Sequence, residues 1–74
     1  MTTLTIRSEI TGTVWKVVAK AGDRLVADDT LMVLESMKME IPVIAPEDGR
    51  VVEILITEGA AVREGQELAR FEEA

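Results

Sequence analysis

Hydrophobic and polar residues alternate along this chain in short runs, and no segment carries the apolar stripe of an amphipathic helix. Trp15, Val17 and Ala19 alternate with Lys16, Val18 and Lys20; further on, Val52, Ile54 and Ile56 alternate with Glu53, Leu55 and Thr57. Alternation of this kind predicts half-buried strands. The sets led by Trp15 and Val52 are expected to face inward, because the other sets carry the charges. Short strands are predicted around Leu25-Val26 and Val62-Arg63, and longer ones over 30–35 and 67–72. An opening strand over 3–7 and a return strand over 39–45 complete the set. Turns are predicted at Ala21-Gly22-Asp23, Glu58-Gly59-Ala60, Asp28-Asp29, Gly65-Gln66 and Pro46-Glu47-Asp48-Gly49. Pro42 cannot donate to a ladder, so its strand belongs at a sheet edge or a bulge.

These elements repeat. At an offset of 37 residues Gly12 meets Gly49, Val14 meets Val51, Gly22 meets Gly59, Leu31 meets Leu68 and Glu35 meets Glu72. Val17 with Ile54, Val18 with Leu55, Leu25 with Val62 and Leu34 with Phe71 are conservative pairs in the same phase. The chain therefore reads as two copies of one β unit. The expected fold is all-β: one domain over residues 1–74, a flattened barrel or sandwich of two small antiparallel sheets with pseudo-twofold symmetry. A hairpin joining the copies at one end would put Met1 and Ala74 at the equivalent place on the other.

Composition narrows the function. A chain of 74 residues has room for a single small core. With no cysteine and no histidine, there is no disulfide, no thiolate or imidazole metal site and no histidine base. No carboxylate pair has spacing that suggests acid–base catalysis. Asp28-Asp29 and Glu72-Glu73 read as solvated turns and a chain end rather than metal ligands, and no metal is expected. The net charge of −6 argues against nucleic acid and against an anionic membrane surface. No apolar run approaches a membrane span, and the first residues lack the pattern of a signal peptide, so cytoplasmic residence is the expectation.

The remaining chemistry sits at the seam between the copies, in Glu35-Ser36-Met37-Lys38-Met39-Glu40. The flanking strands require a tight turn near Met37-Lys38, yet neither residue favours a positive φ, so turn chemistry did not choose them. An ordinary hairpin tip with a solvated lysine is the plain alternative. Unbranched methionine side chains adapt to differing surfaces, which suits a tip that meets several partners; equally, one of them could fill the end of the barrel.

This hexapeptide resembles the attachment motif of biotinyl domains, the carrier domains of biotin-dependent carboxylases. The resemblance extends over Gly12, Val17, Gly22-Asp23, Leu25, Leu31 and Leu34, then Ala45-Pro46, Gly49, Val52, Ile54, Gly59, Val62, Gly65 and Leu68. It implies covalent biotin on Lys38, attached as an amide by a biotin protein ligase that recognises Glu35, Ser36, Met37, Met39 and Glu40. It also implies a carboxyl carrier serving biotin carboxylase and carboxyltransferase sites, a carrier rather than an enzyme. An acyl-CoA carboxylase, acetyl-CoA carboxylase of fatty acid biosynthesis among them, is the expected setting, although pyruvate and urea carboxylases use similar carriers and the sequence does not name the acceptor. The segment 20–28 is too short for the protruding loop that some bacterial members carry. The chain thus resembles a minimal carrier or the tail of a larger carboxylase. Position 41, often polar in the family, is Ile here.

Two other readings share the fold. Lipoyl domains of 2-oxoacid dehydrogenases place their lysine in the same hairpin, typically as Asp-Lys followed by a small residue; Met-Lys-Met favours biotin. Adaptor proteins of export systems use similar modules, with long coiled-coil insertions that this chain lacks. Trp15 is read as core or sheet face rather than as a residue that stacks on biotin.

Overall fold

A computed structural model describes residues 2–74. Eight strands form: β1 Thr3–Arg7, β2 Gly12–Val17, β3 Arg24–Leu25, β4 Thr30–Ser36, β5 Met39–Ile44, β6 Gly49–Ile54, β7 Ala61–Val62 and β8 Glu67–Glu73. They make two antiparallel four-stranded sheets, ordered β1-β8-β6-β3 and β5-β4-β2-β7. Each sheet takes two strands from each copy, so the halves are intertwined, as the repeat predicts. Pro42 lies in β5, an edge strand, where its missing N–H costs no ladder to an outer neighbour.

The offset of 37 is written into the hydrogen bonds. Gly22 N donates to Val51 O at 2.7 Å, and Gly59 N donates to Val14 O at 2.8 Å. Ala45 N donates to Asp29 O at 2.8 Å, and Ser8 N donates to Gln66 O at 2.9 Å. Gly65 turns with a φ of 87°, and its counterpart Asp28 adopts 75° without being glycine. Between the sheets lie Val14, Leu31, Met32, Leu34, Val51, Val62, Leu68 and Phe71, all fully buried. Burial of each such side chain contributes about 1.5–3 kcal/mol.

One expectation is corrected. Trp15 and Val52 do not face inward; Trp15 is 52% exposed and Val52 is also exposed. The register shifts between Val14 and Lys16 against β4, and between Val51 and Glu53 against β8. Each shift is a bulge that adds one residue, Trp15 or Val52, and breaks the period of two. Val14 and Val17 therefore both point in, as do Val51 and Ile54, although each pair is spaced by three. Trp15 is a sheet-face residue on the outside.

β8 orients the molecule. Its start lies beside 8–11, through the Ser8–Gln66 pair and Glu64 N donating to Thr11 Oγ1 at 3.3 Å. That segment also touches the end of β4, because Ser36 Oγ donates to Thr11 O at 3.1 Å. Seven residues long, β8 ends at Glu73, and the N of the next residue, Ala74, donates to Asp48 O at 2.9 Å. At about 3.3 Å per residue the strand covers roughly 23 Å. The β4–β5 hairpin and Ala74 therefore occupy opposite ends of a body 36 Å long. Thr2 stands beside Glu73 at the Ala74 end, while Met1 lies outside the described residues.

Candidate functional site

From Met32↔Val43 onward the β4–β5 ladder runs in regular register to Ser36↔Met39, leaving Met37 and Lys38 as a two-residue loop. Their φ angles are 52° and 66°, so both central residues are left-handed, the signature of a type I′ turn. Asn and Gly normally occupy these positions; here a long thioether and a lysine do. Residues held in this region without glycine cost about 1–3 kcal/mol each and persist where their surroundings over-determine them. The turn matches the right-handed twist of its strands, so the hairpin is tight and its tip protrudes.

All six motif residues lie in this hairpin. Met37 is 92% exposed and Met39 is 64% exposed, so neither fills the barrel end; among the described residues the buried methionine is Met32. Lys38 is exposed, and among the described residues no ion pair or hydrogen bond engages its amine. Ser36 is half-buried and bonded to Thr11 O. Glu35 and Glu40 stand directly opposite each other across the hairpin, both exposed. Like charges in register disfavour each other, so the base of the tip is a concentrated negative collar.

Two further residues escape a motif-based reading. Thr11 bonds Ser36 and the 64–66 turn together, and Gly12 lies so close to β4 that an added Cβ would overlap the Glu35 carbonyl oxygen. Gly12 was marked in advance by its recurrence as Gly49 and by its place in the family resemblance; Thr11 carried no such mark.

An amine with this exposure, at the apex of a turn and clear of acceptors, can be reached and acylated. Among the described residues no side chain bonds this amine in a way that could take its proton.

The family model described as Biotin-requiring enzyme matches residues 4–71. The chain belongs to the biotin/lipoyl attachment family. It is 43% identical over 65 residues to the Biotin/lipoyl attachment protein of Bacillus subtilis, covering 88% of this chain and 89% of that protein. It is 48% identical over 64 residues to the mouse mitochondrial Methylcrotonoyl-CoA carboxylase subunit alpha, covering 86% of this chain but only 9% of that subunit. A solved single-chain, multi-domain long-chain acyl-CoA carboxylase superposes with a TM-score of 0.91 at 35% identity, over 97% of this chain and 7% of that one. This is a biotin carrier domain of the kind found in biotin-dependent carboxylases, and its cofactor is covalent biotin. The exposed hairpin amine fits that group: an amide there displaces no contact of the fold.

Proposed function

We propose that Lys38 is the residue that holds biotin, and that the domain carries carboxyl groups between a biotin carboxylase and a carboxyltransferase. One observation carries the assignment: Lys38 stands between two solvent-facing methionines at the apex of a strained two-residue turn. A biotin protein ligase supplies the biotinyl group in activated form. The Lys38 Nζ attacks its carbonyl, the activating group departs, the amine proton passes to the ligase, and an amide forms. Bound biotin supplies a nitrogen that takes up and releases a carboxyl group.

The residues of this chain do the rest. The flexible Lys38 stem lengthens the arm, and amide formation removes its charge. Met37 and Met39 offer adaptable apolar contacts to ligase and carboxylase sites in turn. Glu35, Ser36 and Glu40 supply the polar and acidic edge of the same surface. Each contact is small and transient, and tethering or co-assembly raises the local concentration of the arm. The acyl-CoA carboxylases among its relatives support an acyl-CoA as the final acceptor.

Co-expression with a biotin protein ligase tests the attachment. The wild-type domain is expected to be detected by streptavidin, and Lys38→Ala to abolish the signal while the Tm stays within a few degrees. Labelling that persists in Lys38→Ala would refute the site.

A further inference from the structure

We propose that Thr11 and Gly12 are positioning residues for modification: together they form a seat that holds the strained Met37-Lys38 turn in one orientation. The inference rests on Lys38 being the attachment site.

The pseudo-twofold shows what the seat does, because the fold builds it twice. At the tip, Thr11 O accepts from Ser36 Oγ, Thr11 Oγ1 accepts from Glu64 N, and Gly12 is pressed against the end of β4. At the other end Asp48 O accepts from Ala74 N, Asp48 Oδ1 accepts from Ala27 N at 2.9 Å, and Gly49 is pressed against the end of β8. A Cβ on Gly49 would overlap the Glu72 carbonyl oxygen and come within 2.6 Å of the Phe71 ring. Both glycines are therefore required by close approach rather than by φ.

One seat holds Glu73-Ala74, neither of which is among the left-handed residues. Its twin holds Ser36, the residue immediately before two left-handed positions that lack glycine. A two-residue loop alone would leave the hairpin free to relax toward easier angles. The Ser36–Thr11 bond and the Gly12 contact fasten its last ladder pair to β2, and Thr11 extends the brace to the 64–66 turn. The direction in which Lys38 leaves the domain is thereby fixed before any partner arrives.

The symmetry supplies the control. Gly12→Ala and Gly49→Ala introduce the same backbone overlap at opposite ends, and both should lower the Tm. With a biotin protein ligase, Gly12→Ala is expected to reduce kcat/KM for modification about tenfold or more, and Gly49→Ala less than about twofold. Equal losses, or no loss in Gly12→Ala, would overturn the proposal. Ser36→Ala removes one hydroxyl and does not threaten the fold. It is expected to move the amide and Cα resonances of Met37 and Lys38 and to slow modification, while Ser36→Thr, which keeps the hydroxyl, restores both. Unmoved tip resonances in Ser36→Ala would equally overturn the seat. The resonances are read without ligase, so a wild-type domain that accepts no biotin would defeat the attachment reading while the seat is still decided.

Discussion

Glu35 and Glu72 are the same position of the repeat at opposite ends of the molecule, and their neighbours differ. Glu72 pairs across the sheet with Arg50, 3.1 Å away, and with Thr3 on its other side. Glu35 has Thr13 where Arg50 would be, and Glu40 where Thr3 would be. The end that holds the chain terminus neutralises its acid locally. The lysine end leaves two acids facing each other with no cation in register. A fold seeking only its own stability would not separate the copies in this way, since opposed like charges oppose folding. Charge at the far end serves the sheet, while the paired acids at the tip form no ion pair among the described residues, which suits the contact surface proposed above.

The largest effect that sharpens this contrast lies in the core. Phe71 and Leu34 are equivalent and fully buried, but only Phe71 presses its ring on a seat glycine. Phe71→Ala is expected to cost about 3–5 kcal/mol, and Leu34→Ala about 2–5 kcal/mol. Chemical denaturation should show the terminus end to be the more sensitive; a larger loss for Leu34→Ala would remove that asymmetry. Next comes the non-glycine turn of the first copy. Asp28 has a φ of 75° where Gly65 stands in the second, and among the described residues its side chain holds no bond. Asp28→Gly should raise stability by about 1 kcal/mol, visible as a higher Tm without a change in modification.

A smaller effect is expected from giving the tip the cation of the far end. Thr13→Arg places a guanidinium opposite Glu35 and should stabilise the domain by roughly 0.5 kcal/mol. If the collar faces a partner, the same change slows modification by a ligase; an unaltered rate would return the collar to the role of a solvated edge. The smallest change in stability belongs to Met37→Leu with Met39→Leu, within about 0.5 kcal/mol because both are exposed. Slower modification in that double variant would mark them as contact residues, and an unchanged rate would leave them as surface.

Much of this was legible in the residues. The recurrence of Gly12 as Gly49 and of Leu31 as Leu68 announced the duplication, and from it the intertwined sheets and the place of the lysine hairpin. Alternation failed at Trp15 and Val52, because a bulge moves a strand by one residue and leaves no mark on the apolar pattern. The turn at Met37-Lys38 could be located but not described, since nothing local favours its angles. Its support comes from Thr11, a contact across 25 residues of chain to a backbone carbonyl, and such a contact has no sequence signature.

In the proposed function a single amine carries the cofactor. The chain has three lysines, Lys16, Lys20 and Lys38, so tandem mass spectrometry of the domain after reaction with biotin and a biotin protein ligase decides it. The expected result is a mass gain of one biotinyl group, confined to Lys38. No gain, or a biotinyl group on Lys16 or Lys20 with Lys38 unmodified, would rule out Lys38 as the attachment site.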